Sequence, residues 1–344
     1  MQKILSKNKK RNNTYLSFLK SFCVTKVQVK DIVRMGHRLM RKAKLHPHFF
    51  GNNSLVETAQ YLAFYALQLP HEYNNADYLN LKITTQEAEK MIILFERRIA
   101  ERIPVEYLTH EAYYLGNTFF VNGNVLVPRS IMNTRFKDFL ADISWENNHV
   151  LDLCAGSGCI GISLALLNPN IKVDLVDISP KALEVASINI QKYSLQDRVQ
   201  CIQSDLFANI KNKYDLIITN PPYVSTSEYQ KSQKEFKNEP QLALESGWDG
   251  LDIIHRILAH AKNYLNSEGK IIAEVGFTSA KRLKRRYRQN SFKWLKYRKP
   301  NGKIAMLSMD GIFICEQNKL PCALSQKNSN GLFFRLIDRV KDWF

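Results

Sequence analysis

The sequence predicts an α/β fold, a mostly parallel sheet wrapped by helices on both faces, preceded by a small helical domain. Three observations predict it. From His149 onward, short apolar runs alternate with helical ones, and alternation of that kind sets parallel strands side by side with helices crossing over between them. From Lys26 to Arg102, apolar residues instead recur at helical spacing. Between these stretches lie two short β-favouring runs around an Asn-Gly pair.

The helical part carries Leu55, Ala59, Leu62, Ala66 and Leu69 on one face, and Ala88, Met91, Ile92, Phe95 and Ile99 on another. Two of its helices have start signals, Ser54 with Glu57 and Thr84 with Glu87. In each, a hydroxyl and a carboxylate three residues on can satisfy free backbone amides reciprocally. Pro104 closes the segment, because proline lacks the amide hydrogen that a helix interior needs.

Thr118-Phe119-Phe120-Val121 and Val125-Leu126-Val127 flank Asn122-Gly123, a dipeptide suited to the positive φ angles of a tight turn. A hairpin turning at Asn122-Gly123 is therefore expected between the two parts. Beyond it, strands are expected at Val150-Leu151, Val173 to Val176, Val199 to Ile202, Leu216 to Ile218 and Ile271 to Val275. Helices are expected at Ile160 to Leu167, Ala182 to Tyr193 and Leu251 to Leu265. The chain thus divides into a helical domain with a basic leader (1–110), a hairpin linker (111–130), an α/β domain (131–316) and a polar linker with an amphipathic tail helix around Leu332 to Val340 (317–344).

Composition narrows the classes of function. At 344 residues and 45% hydrophobic content, the chain can bury a core of this size. No apolar run approaches the roughly 18 residues that would span a bilayer, and the basic start, Met1 to Arg11, lacks the apolar stretch and cleavage site of a secretory signal. A cytoplasmic enzyme is expected. Cys23, Cys154, Cys159, Cys201, Cys315 and Cys322 are scattered and form no C-x-x-C pair, so reduced thiols are expected, with no metal. His255 and His260 lack H-E-x-x-H spacing.

A net charge of +17 attracts polyanions when displayed on a folded surface. The excess concentrates in residues 281–299, KRLKRRYRQNSFKWLKYRK, from Lys281 to Lys299, with a smaller cluster near the start. Contact with ribosomal RNA is one expectation, and a solvated helix face is the other.

The chemistry-bearing residues stand where the predicted strands end. After the first comes Asp152-Leu-Cys154-Ala155-Gly156-Ser157-Gly158-Cys159 and then a helix. Small residues there let a ligand approach the backbone at the carboxyl edge of the sheet, although the spacing is not the G-x-G-x-x-G of a pyrophosphate site. The second strand ends in Asp177, about 20 residues beyond the loop, where a carboxylate can accept ribose hydroxyls; its alternative is an acid at a helix start before Pro180. The third ends in Ser204-Asp205-Leu206, and Asp205 there could accept from an adenine amino group. Together these three strand ends resemble the class I methyltransferases, whose Rossmann-like seven-stranded sheet binds S-adenosylmethionine.

At the end of the fourth strand stands Asn220-Pro221-Pro222-Tyr223. Two consecutive prolines fix φ and donate no hydrogen bonds, so the carbonyls of Asn220 and Pro221 can be held rigidly. A planar amide or aryl amine is a poor nucleophile because its lone pair is delocalised. Accepting its two N–H groups with the Asn220 side-chain oxygen and the Pro221 carbonyl would hold that nitrogen in place and favour its pyramidalisation, with Tyr223 covering the planar group. The alternative is a double proline that merely ends a buried strand.

With these residues in view, the chain resembles the protein-glutamine N5-methyltransferases, the HemK, PrmC and PrmB family, from about Phe49 to Cys315. The resemblance rests on Arg102-Ile-Pro104-Val-Glu-Tyr107-Leu108, Val127-Pro128-Arg129, the glycine loop, NPPY, and Glu239-Pro240-Gln-Leu-Ala-Leu-Glu-Ser-Gly247-Trp-Asp249-Gly250-Leu251. It implies Cys154, Ala155, Gly156, Ser157, Gly158, Asp177 and Asn220 on the cofactor side, to which the reading of the strand ends adds Asp152, Asp205 and Leu206. It likewise implies Asn220 to Tyr223 on the reacting amide, and the stretch from Glu239 to Leu251, with Arg129, on the substrate side.

The wording Glu101-Arg-Ile-Pro-Val-Glu-Tyr-Leu-Thr and Val176-Asp-Ile-Ser-Pro-Lys-Ala looks more like the PrmB branch, implying a glutamine of large-subunit ribosomal protein L-three, free or in an assembly intermediate, as substrate. The alternative within the family is the Gly-Gly-Gln loop of peptide-chain release factors. Departures are the absence of an acid in Ile131-Met-Asn-Thr134, Leu206 where PrmC-like members often carry tryptophan, and added length near Lys296 to Asp310 and beyond Gln317. Two other readings stay open: a nucleic-acid amino methyltransferase, whose exocyclic amine poses the same geometric problem, and a non-catalytic assembly factor that binds RNA.

Overall fold

A computed structural model describes residues 27–45, 54–70, 76–132, 149–287, 292–294, 297–298, 304–305 and 310–320. The basic leader, residues 133 and 134, parts of the basic stretch and the amphipathic tail lie outside the described residues. The chain clusters into two compact units, residues 1–111 with 234–238, and residues 112–233 with 239–344.

The first unit contains α1 (Val29–Lys42), α2 (Leu55–Ala66), α3 (Ala76–Leu79), α4 (Thr85–Glu101) and α5 (Val105–Thr109). Both start signals form as the sequence dictates: Ser54 and Glu57, and Thr84 and Glu87, exchange side-chain and backbone hydrogen bonds at the starts of α2 and α4. Such boxes hold helix ends by about 1 kcal/mol each. The expected apolar faces are the buried ones, with Ala59, Leu62, Met91 and Phe95 at or near zero exposure. Gly36 of α1 lies against the Phe95 ring so closely that a Cβ there would stand 2.5 Å from it. α4 ends before Pro104 with Arg102 at φ 59°. Arg102 donates to Glu235 (3.1 Å) and to the Ala43 carbonyl (2.7 Å), both within this unit.

Next along the chain come β1 (Glu111–Tyr114) and β2 (Asn117–Phe120), paired as a two-stranded sheet. This hairpin turns at Leu115-Gly116, both with positive φ, and not at Asn122-Gly123. The expected strand over Val125 to Val127 is absent, and those residues run as loop. Gly116 has nothing within 4 Å of where a Cβ would stand; its φ of +78° is the reason glycine suits that place.

Then follow β3 (His149–Leu153), α6 (Cys159–Leu167), β4 (Lys172–Asp177), α7 (Pro180–Lys192), β5 (Val199–Gln203), β6 (Tyr214–Thr219), α8 (Thr226–Lys231), α9 (Asp252–His260), β7 (Leu265–Gly276), α10 (Phe277–Arg286), β8 (Lys293–Trp294), β9 (Tyr297–Arg298), β10 (Ile304–Ala305) and β11 (Asp310–Glu316). The seven-stranded sheet has the order β5-β4-β3-β6-β7-β11-β8; its first five strands pair in parallel, and β11 pairs antiparallel with both of its neighbours, β7 and β8. Strands and helices fall where the apolar runs place them, except that the last expected helix gives way to a 3-10 turn after His260.

Apolar side chains fill both faces. Val150, Ile162, Val173 and Leu175 pack on one, and Leu151, Ile217, Ile257 and Leu258 on the other. Strands buried on both sides read as continuous apolar runs, as these do. Among the described residues no helix is long and apolar enough to cross a membrane. The strand order reverses between β3 and β6, the place where open α/β sheets bind ligands.

Candidate active site

The register of the central pair brings the two halves of the site together. Leu153 of β3 pairs with Thr219 of β6, and the Thr219 hydroxyl donates to the Leu153 carbonyl (2.6 Å). The residues that follow, Cys154 to Gly158 on one strand and Asn220 to Tyr223 on the other, therefore leave the sheet side by side.

The glycine loop is tight. Cys154, Gly156 and Gly158 all have positive φ (61°, 56° and 76°), and Gly158 starts α6. A side chain at Gly158 would meet Leu175 at 2.8 Å, whereas the corresponding position at Gly156 has nothing within 4 Å. Glycine is thus needed at Gly158 for packing, and the loop is open at Gly156. The Ala155 amide donates to the Val176 carbonyl, and the Ser157 carbonyl accepts from Asn189.

Asp177 holds this loop. Its carboxylate accepts from the amides of Gly156 (2.9 Å) and Ser179 (2.9 Å), while Ser179 itself caps α7 ahead of Pro180. Burial raises the Asp177 pKa and the amide hydrogen bonds oppose that rise. Asp152 is fully buried; Oδ2 accepts from the Gly161 amide (2.8 Å) and Oδ1 has no hydrogen-bond partner among the described residues. Burial pushes its pKa up to about 7, with Asp177 adding to the rise.

Asp205 sits at the end of the next strand, exposed, with its carboxylate 2.8 Å from Arg256. Leu206 is buried at φ 52°. The loop thiols are quiet: burial raises Cys159 to about 12 and Cys154 higher still, which makes thiolate chemistry unfavourable. His255 lies 3.0 Å from the Tyr287 hydroxyl, and burial depresses its pKa to about 4. Among the described residues no three His, Cys, Asp or Glu side chains gather as metal ligands.

On the reacting side, Asn220 is half-buried, and its Oδ1 is buried with no hydrogen-bond partner among the described residues. Tyr223 is held at several points. The Ser279 hydroxyl donates to its carbonyl (3.0 Å), a Cβ at Gly276 would stand 2.9 Å from its ring, and its hydroxyl reaches Glu274 (3.4 Å). Glu274, 1% exposed, also accepts from Ser130. Glu239 is buried; its Oε2 accepts from Arg129 (2.8 Å) and from the Val127 amide (3.1 Å). Arg129 and Glu239 are thus brought together as a clamp on the loop after the hairpin.

Sequence reasoning missed Glu274, Gly276 and Ser279. A signal for Glu274 existed: it is a lone acid within the apolar run Ile271-Ile-Ala-Glu274-Val, and a charge there is rarely buried without a partner.

A seven-stranded sheet of this order, with a glycine loop after one central strand and NPPY after its neighbour, defines a class I methyltransferase. Residues 136–249 match the family described as Methyltransferase small domain. Ribosomal protein uL3 glutamine methyltransferases of Neisseria gonorrhoeae and Neisseria meningitidis serogroup B are each 37% identical to this chain over 287 residues, covering 82% of it and 94% and 93% of the relatives. The Burkholderia pseudomallei protein of the same name is 36% identical over 259 residues, covering 72% of this chain and 84% of its own. The chain belongs to the family of ribosomal protein uL3 glutamine methyltransferases.

Proposed function

We propose that this chain transfers a methyl group from S-adenosylmethionine to the side-chain amide nitrogen, N5, of a glutamine in ribosomal protein uL3, the large-subunit protein L-three. The observation that carries the reading is the Asn220 side-chain oxygen, buried and without a hydrogen-bond partner among the described residues, at the head of Asn220-Pro221-Pro222-Tyr223. A buried acceptor left empty costs about 1 to 3 kcal/mol. An incoming amide N–H would remove that cost, and the names of the relatives favour a glutamine of uL3 as its source.

The loop fits S-adenosylmethionine. Gly156 leaves open space where a side chain would stand, Asp177 is a half-buried acceptor beside it, and Asp152 Oδ1 has no hydrogen-bond partner among the described residues. Cys154, Ala155, Ser157, Gly158, Asp205, Leu206 and Asn220 complete the cofactor side. Bound there, the cofactor supplies an electrophilic methyl group.

The chain's own residues do the rest by positioning. Asn220 Oδ1 and the Pro221 carbonyl accept the two amide N–H groups, and neither proline has an N–H to compete for them. Tyr223, fixed at its carbonyl, ring and hydroxyl, covers the amide plane. Holding a delocalised nitrogen this way accelerates transfer by alignment, on the order of several kcal/mol. Arg129 and Glu239 serve the substrate side by clamping the loop at Val127.

The exposed face of α10, with Lys281, Lys284, Arg285 and Arg286, is the surface for ribosomal RNA when uL3 is modified within an assembly intermediate in the cytoplasm. Affinity for that intermediate should then fall steeply with salt.

The test is methyl transfer from labelled S-adenosylmethionine into extract from cells lacking the enzyme, run beside Asn220→Ala. Label on uL3 that disappears with the variant is the expected result. Label on a release factor would change the target and keep the chemistry, and label on nucleic acid would overturn the reading.

A further inference from the structure

We infer that Leu242 and Trp248 form an apolar grip for the polypeptide on either side of the target glutamine. The inference rests on the protein-glutamine reading above. Trp248 is 69% exposed, more than any other large apolar side chain among the described residues, and Leu242 is 55% exposed. A tryptophan so exposed is rarely neutral, because this residue dominates binding energy where it is found at interfaces.

Both side chains ride on a ledge, residues 239–251, that runs beside the reacting loop. Val224, the residue after Tyr223, makes a parallel bridge to Glu245. Its amide donates to the Leu244 carbonyl (2.8 Å) and its carbonyl accepts from the Ser246 amide (2.9 Å); the Thr226 amide donates to the Gly247 carbonyl (2.9 Å). Asp249 is tied down twice more, its side chain accepting from the Leu251 amide (3.0 Å) and its carbonyl from Arg282. The ledge is therefore fixed before any partner arrives, and little ordering cost remains to be met on binding.

Its chemistry selects the occupant. In the stretch EPQLALESGWDGL, Glu239 is buried against Arg129, which leaves Glu245 and Asp249, both half-buried, as its accessible charges, with no lysine or arginine. Phosphate backbones are bound by basic side chains, so this acidic lip fits a polypeptide rather than RNA. A protein that itself binds RNA carries basic surface, the complement of Glu245 and Asp249. To place its amide against Asn220, the substrate must lay its neighbouring residues across the lip, where apolar side chains beside the glutamine meet Leu242 and Trp248.

The experiment is steady-state kinetics of the full chain with purified uL3 and labelled S-adenosylmethionine, for Leu242→Ala, Trp248→Ala and Trp248→Phe. Labelling of uL3 by the wild type is required first, and its absence would defeat the functional reading separately. The expected result is a KM for uL3 raised about tenfold or more by Trp248→Ala, less by Leu242→Ala, and largely restored in Trp248→Phe. At saturating uL3, kcat should be kept, as should the KM for S-adenosylmethionine. Unchanged KM for uL3 in both alanine variants overturns the inference. So does a shift from dimer to monomer in either variant on light scattering, which would make the patch a self-association face.

Discussion

Gly250 lies so close to Tyr223 that a Cβ at position 250 would stand 2.4 Å from the Tyr223 carbonyl oxygen. That is well inside van der Waals contact, and Gly250 also has φ +76°. The same carbonyl accepts from Ser279, so the glycine and the serine fix one peptide of the reacting loop from two sides.

Gly250→Ala should therefore strike chemistry more than folding. The backbone strain costs about 1 kcal/mol, whereas displacing the Tyr223 peptide moves the ring that we propose covers the amide. A loss of 1 Å in alignment can cost about a hundredfold in rate. Single-turnover methyl transfer should fall by about that factor, while calorimetric binding of S-adenosylmethionine stays within a few fold. Equal losses in both would show that the glycine serves the whole site and not Tyr223.

The Arg129 and Glu239 pair tests a different link, from packing to stability. The Glu239 side chain is 0% exposed and that of Arg129 14%, so removing the cation strands a buried carboxylate that keeps a hydrogen bond from the Val127 amide. Breaking a buried pair on one side costs about 3 to 5 kcal/mol, whereas replacing both members by apolar residues is often close to neutral. Arg129→Met should lower the urea midpoint markedly, and adding Glu239→Leu should restore much of it. A double variant as unstable as the sum of the singles would rule the coupling out.

How much of this was legible in the sequence depends on whether a feature is local. The sheet strands were, because Leu216-Ile-Ile and Ile271-Ile-Ala are apolar on both faces and need no knowledge of the fold. The caps at Ser54 and Thr84 were, since both partners lie three residues apart. The hairpin turn was not. Asn122-Gly123 has the stronger turn composition, yet Leu115 takes up φ 51° beside Gly116, and tertiary packing of Tyr114 and Phe119, both fully buried, overrides it. The strand ends at Asp152, Asp177 and Asn220 could be read from spacing. Glu274 could not be assigned, because its meaning comes from Ser130, 144 residues away.

Two titratable groups, the buried Asp152 and the half-buried His255, give the stability opposite pH dependences. His255 has its pKa lowered to about 4 against an ordinary 6.5, so between these values the unfolded chain binds the extra proton and stability is lost as pH falls. Asp152 has its pKa raised to about 7 against 3.8, so between these values the folded chain binds the extra proton and stability is gained as pH falls. From about pH 6.5 to 4 the two effects oppose each other. His255→Gln, which can keep a hydrogen bond to Tyr287, should remove the acid-labile contribution and leave a melting temperature that rises as pH is lowered through this window. Asp152→Asn, which can still accept from Gly161, should do the reverse and steepen the acid loss. The check is a pair of melting-temperature profiles from pH 4 to 8, each taken relative to the wild type. Profiles that parallel the wild type in both variants would mean that neither group changes its proton binding on unfolding, and the burial of Asp152 beneath the glycine loop would then need another source of compensation than a retained proton.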